Sequence, residues 1–97
     1  MSRSLVERRL SDVTQRLRKA REELAVVEEQ RQHFAETADD LRIRALVAET
    51  PGAEKEFREA QKHVDAMDRS RNELAKHIAD LQRSQDELLE RLVPDAK

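Results

Sequence analysis

An unbroken heptad pattern constrains the fold of this sequence more than any other feature. Positions at alternating intervals of four and three residues are almost all apolar, a spacing that lines up one stripe along a coiled-coil helix. The first run comprises Val6, Leu10, Val13, Leu17, Ala20, Leu24, Val27, Arg31, Phe34, Ala38, Leu41, Ala45 and Ala48. The second comprises Ala53, Phe57, Ala60, Val64, Met67, Arg71, Leu74, Ile78, Leu81, Gln85, Leu88 and Leu92. The pattern predicts two long helices, each of which buries one seam.

The composition excludes the main alternatives to a helical fold. Charged residues make up 41% of the 97 residues, and the chain contains one Gly, two Phe and no other aromatic residue. Sandwiches, barrels and Rossmann-type domains need β-branched strands and glycine-rich turns, which this composition does not supply. The sequence therefore predicts an all-α fold.

Helix-capping signals predict where the two helices begin and end. Ser4 and Glu7 have the spacing of a capping box at a helix start. Thr50 suits a helix N-cap and Pro51 suits the first helical position, while Pro94 cannot continue a helix. Two to four residues therefore connect the helices. The sequence therefore predicts a single helical hairpin over residues 1–97, with helices over residues 4–48 and 53–93 and a turn over residues 49–52. So short a turn makes the helices antiparallel neighbours, in an antiparallel coiled-coil hairpin.

Folding the chain at this turn matches the two seams by size. The predicted pairs are Leu10/Leu92, Val13/Leu88, Ala20/Leu81, Leu24/Ile78, Val27/Leu74, Phe34/Met67, Ala38/Val64, Leu41/Ala60 and Ala45/Phe57. Each small side chain meets a larger one, as an interdigitated core requires. The exception is a polar seam layer in which Arg31 lies opposite Arg71. Glu28 and Asp68 are the nearest candidate acceptors, and a partner's acidic side chain or control of the register are the alternative explanations.

Nothing in the sequence suggests catalysis or a bound cofactor. The chain has no Cys and no nucleophile, phosphate-loop or zinc motif, and His63 and His77 lie ~21 Å apart along a helix. The net charge of −2 gives no reason to expect direct nucleic-acid binding. No apolar run has the length of a membrane span. We therefore expect a cytoplasmic, non-enzymatic protein without catalytic residues, metal or other cofactors.

An apolar cluster outside the seam is the best sequence indication of function. Ile43, Leu46 and Val47 share one helix face, and Arg42 and Arg44 flank them. Exposed aliphatic clusters of this kind mark contact surfaces. We predict that these five residues bind a protein partner, whose identity the sequence does not give, or that they close a homodimer by packing two hairpins as four helices.

Acidic residues around the turn give an alternative prediction. Glu49, Glu54 and Glu56 lie next to Thr50 and Pro51, so the hairpin resembles, in shape, the RNA-polymerase secondary-channel factors. Those factors insert a coiled coil with an acidic tip near the catalytic metal. The resemblance implies a regulator of RNA polymerase or of another nucleic-acid enzyme. The helix dipole also favours carboxylates in the first turn of a helix, whatever their function.

Overall fold

The computed structural model describes residues 2–92 and contains two α-helices, which confirms the predicted all-α helical hairpin. Helix α1 spans Arg3–Ala48 and helix α2 spans Pro51–Leu92. No strand occurs within these described residues. The predicted end of the second helix, Val93, lies outside them.

The start of α1 differs from the prediction because a different serine caps it. The Ser2 hydroxyl accepts a hydrogen bond from the Leu5 backbone N–H at 3.3 Å, and the Ser2 carbonyl accepts the Val6 N–H at 3.1 Å. Ser2 is therefore the N-cap, and Ser4 lies inside the helix. Glu7, the expected partner of Ser4, instead accepts a hydrogen bond from Arg3 Nε at 3.1 Å.

The connection between the helices has two residues, within the predicted two to four, but the turn is shorter than its predicted bounds. Only Glu49 and Thr50 lie between α1 and α2, whereas the prediction placed the turn over residues 49–52. The Thr50 hydroxyl accepts the Ala53 N–H at 3.2 Å, and the Thr50 carbonyl accepts the Glu54 N–H at 3.1 Å. Thr50 is thus the N-cap of α2, and Pro51 is its first helical residue because proline's fixed φ suits that position.

Glu49 ends α1 through a left-handed backbone conformation. Its φ is 51°, a region that glycine occupies most readily. The Glu49 N–H donates to the Ala45 carbonyl at 3.0 Å, which is the hydrogen bond of an αL helix C-cap. This conformation terminates α1 and is followed directly by the Thr50 cap.

The chain divides into two compact units. The base unit, as we call it, combines α1 up to Leu24 with α2 from Leu74 onward, and the tip unit comprises Ala25–Glu73 with the turn. The base unit has a core of buried Leu17, Ala20, Ile78 and Leu81, against which Val13, Leu24 and Leu74 pack. The tip unit buries Ala38, Ala45 and Val64.

Burial follows the heptad pattern in both units. Every predicted seam residue is buried or half-buried except Ala48, which is the last residue of α1. Among the other residues of the range 2–92, only Thr14, Ala35, Ala66 and Asp68 are not exposed. The 4-3 spacing therefore identifies the core almost completely.

Candidate protein-binding site

The aliphatic cluster on α1 is exposed in the tip unit. Ile43 is 49% exposed, Leu46 is 65% exposed and Val47 is 81% exposed. The heptad spacing explains this, because the neighbouring seam positions Leu41 and Ala45 turn inward and leave the three residues on the outer side of α1. We call these three residues the tip surface.

Two exposed arginines flank the tip surface, as the sequence indicated. Arg42 donates from Nε and from Nη2 to one Asp39 carboxylate oxygen, at 3.1 Å and 2.9 Å. Arg44 lies on the other side and is exposed as well. Because the Arg42–Asp39 pair is solvent-exposed, it contributes little to stability and can be exchanged for another carboxylate at small cost.

A shallow groove adjoins the tip surface, and the sequence did not reveal it. Its volume is about 300 Å³, and it is lined by Arg42, Ala45, Leu46, Glu54, Phe57 and Arg58. Ala45 had been paired with Phe57 on grounds of size. The groove could have been inferred from this pair, because the small Ala45 side chain leaves space beside the half-buried Phe57 ring. Leu46 belongs both to the groove and to the tip surface.

The three carboxylates of the predicted acidic tip are all exposed in the tip unit. Glu49 lies in the turn, and Glu54 and Glu56 lie in the first turns of α2. Glu54 is not isolated, since its Oε2 lies 3.9 Å from Arg58 Nη1. It also lies where the N-terminal dipole of α2 stabilises negative charge.

The polar seam layer is an ion pair between the helices. Arg31 Nε donates to the Asp68 carboxylate, and the two side chains are 37% and 33% exposed. Asp68 was one of the two acceptors that the sequence suggested for this layer. Arg71, one turn further along α2, is half-buried. The guanidinium of Arg31 therefore finds its counter-charge within the tip unit.

Two further contacts involve residues that the heptad pattern does not mark. In the base unit, Gln85 Nε2 donates to the Thr14 hydroxyl at 3.2 Å, which satisfies the polar seam residue Gln85. In the tip unit, the His63 ring stacks on Phe34, with ring centroids 5.4 Å apart and an interplanar angle of 16°. Thr14 and His63 flank the seam, so a search restricted to the 4-3 positions misses both.

The tip surface and the groove present apolar side chains with guanidinium groups at their edge. The described part of the chain, residues 2–92, contains no group of three or more His, Cys, Asp or Glu side chains arranged to hold a metal ion. Neither of its helices is long and apolar enough to cross a membrane. What the tip surface and groove can do is bury aliphatic side chains of another molecule and donate guanidinium hydrogen bonds at their edge.

No protein-family model, no curated protein and no solved structure matches this chain.

Proposed function

We propose that this chain is a non-enzymatic, cytoplasmic interaction module that binds a protein partner through its tip surface. The exposure of Leu46 and Val47, both in one cluster with Ile43, is the observation that carries the proposal. Single exposed aliphatic residues are common on protein surfaces, whereas a contiguous cluster is typical of an interface.

The groove beside the tip surface adds shape to the contact. An apolar side chain of the partner fits between Ala45 and Phe57, at the edge where Leu46 is exposed. Arg42 and Arg58 line the same groove and provide hydrogen-bond donors at its rim. An apolar centre with a polar rim is the usual anatomy of a protein interface.

A Leu46→Asp variant tests this proposal. We expect it to keep its helicity, because Leu46 is exposed, and to lose a partner that the unchanged protein retains in affinity capture from lysate of the native cell. Leu89→Asp is the matched control, since Leu89 is 44% exposed but lies on α2 in the base unit and is not part of the tip surface. Circular dichroism measures the helicity of both variants.

Either of two results would contradict the proposal. If Leu46→Asp unfolds the hairpin while Leu89→Asp does not, Leu46 is part of the core. If both variants retain the partner equally, the tip surface does not bind it.

The second candidate function is regulation of RNA polymerase or another nucleic-acid enzyme by the acidic tip. The exposure of Glu49, Glu54 and Glu56 around one turn favours it. Replacing all three with Gln keeps their size and removes their charge. This candidate predicts that the triple variant loses any effect of the protein on transcription by purified polymerase, with thermal unfolding as the control for folding. An unchanged effect on transcription would rule out the acidic tip as its cause.

A further inference from the structure

The contacts that build both units join α1 to α2. In the tip unit, Arg31 of α1 donates to the Asp68 carboxylate of α2. In the base unit, Gln85 of α2 donates to the Thr14 hydroxyl of α1 at 3.2 Å, and the buried core combines side chains of both helices. Contacts between two separate elements form equally well when the elements belong to different copies of a chain.

The turn that keeps both helices in one hairpin is short and strained. Only Glu49 and Thr50 connect α1 to α2. The φ of Glu49 is 51°, a left-handed conformation that carries a steric cost for any residue with a Cβ atom. The single glycine of the chain, Gly52, does not relieve this cost, because it lies inside α2. Short connections under strain favour the exchange of the connected elements between copies.

We propose that two copies of this chain form a dimer by exchanging α2. In this exchanged dimer, α1 of each copy pairs with α2 of the other, so each base unit and each tip unit contains segments of both copies. Two-fold symmetry makes the two sets of contacts identical. The partner is therefore a second copy of this chain, and the surface that binds it is the seam itself. This inference is independent of the tip surface.

The balance between hairpin and exchanged dimer depends on Glu49 and on protein concentration. The dimer keeps the contacts within each unit and releases Glu49 from its left-handed conformation, because the chain no longer turns back there. Thr50 caps α2 in both forms, so the two helices need not fuse into one. The hairpin has the opposing advantage that its connection holds α2 close to α1. High protein concentration therefore favours the exchanged dimer.

Exchanging the charges of the Arg31–Asp68 contact tests the proposal. Arg31→Asp alone and Asp68→Arg alone each place two like charges at this contact in the hairpin. An exchanged dimer with one copy of each variant has an opposite-charge pair in both tip units. After refolding from urea at high protein concentration, an equimolar mixture should therefore form a heterodimer at least about tenfold more stable than either homodimer. Native mass spectrometry distinguishes these dimers, because the two variants differ in mass.

The double variant Arg31→Asp/Asp68→Arg is the matched control. It restores the opposite-charge pair within a single hairpin, so it should dimerise only to the extent that the unchanged protein does. Circular dichroism measures the helicity of all variants. A mixture that stays monomeric although both single variants are folded would overturn the proposal. Homodimers as abundant as the heterodimer would also overturn it, because the copies would then associate through another surface.

Variants of Glu49 provide a second test that leaves both seams unchanged, so it applies even where a charge variant fails to fold. Glu49→Gly removes the cost of the left-handed conformation and should weaken the dimer by at least about tenfold. Glu49→Val raises that cost, because β-branched residues rarely adopt this conformation, and should strengthen the dimer by a similar factor.

Size-exclusion chromatography with light scattering, after refolding at a series of protein concentrations, measures the dimer fraction of each Glu49 variant. Equal dimer fractions for Glu49→Gly and Glu49→Val would overturn the proposal. A protein that stays monomeric after refolding at about 1 mM would overturn it as well. The capture experiment with Leu46→Asp decides the proposed function separately, because Leu46 is exposed and is not a seam residue.

Discussion

Arg31 shows how a charged residue is accommodated in an apolar seam. Its aliphatic stem occupies a core position, while its Nε reaches the Asp68 carboxylate at the half-exposed edge of the tip unit. Water still reaches both side chains, so neither the full cost of burying a charge nor the full benefit of a buried pair applies. The Arg31–Asp68 ion pair offsets the apolar contact that is lost because an arginine, and not an aliphatic residue, occupies this seam position.

We expect Asp68→Ala to lower the free energy of unfolding by about 1–2 kcal/mol, because it leaves the Arg31 guanidinium without its acceptor. Urea unfolding at one fixed protein concentration measures the change. In the control Arg31→Leu/Asp68→Ala, the seam is apolar and no charge is stranded, so stability should return at least to that of the unchanged protein. An Asp68→Ala variant as stable as the unchanged protein would show that the pair makes no net contribution.

The sequence predicts some residue contacts of this fold and misses others for a definable reason. Asp68 could be proposed as an acceptor because Arg31 is polar at a seam position and must find one. The sequence does not mark Thr14 and His63 in this way, because they lie beside the seam. Which residues they contact depends on the direction of their side chains. The groove at Ala45 and Phe57 depends on how a small and a large side chain share one layer. Periodicity alone does not resolve that packing.

At the scale of the elements, the helices were predicted more accurately than their ends. Twenty-four of the 25 seam positions are buried or half-buried, because the 4-3 spacing is a direct consequence of helix geometry. Helix ends depend instead on competition between neighbouring residues that could each act as a cap. Ser2 rather than Ser4 caps α1, and Thr50 caps α2 so closely after α1 that the turn shrinks to two residues.

Glu49 makes so short a turn feasible. It adopts the left-handed conformation that stops α1, although a non-glycine residue pays a conformational cost for this. The sequence does not indicate that Glu49 adopts this conformation. Gly52, three residues later, is the residue best suited to a left-handed conformation, but it lies inside α2. The position of a glycine was thus a poor guide to the position of the turn.

At the scale of the whole molecule, two features could specify the antiparallel arrangement: the short connection and the paired seams. The connection brings the ends of α1 and α2 together, while the predicted seam pairs match small against large side chains and the Arg31–Asp68 contact joins the helices. Loop-closure entropy rises only slowly with loop length, so a longer connection costs little if the seams hold the fold. The two features can therefore be separated by lengthening the turn.

We expect an insertion of six Gly and Ser residues between Glu49 and Thr50 to keep the helicity of the chain and to lower the free energy of unfolding by only about 1 kcal/mol. The Thr50 cap of α2 is preserved in this variant, which restricts the change to loop length. Circular dichroism and urea unfolding at a fixed protein concentration measure both quantities. When the insertion is combined with Asp68→Ala, the free energy of unfolding should fall by about the sum of the two separate decreases, because the two sites do not share partners. A collapse of stability on insertion alone would show instead that the two-residue turn, and not the complementarity of the seams, holds the helices together.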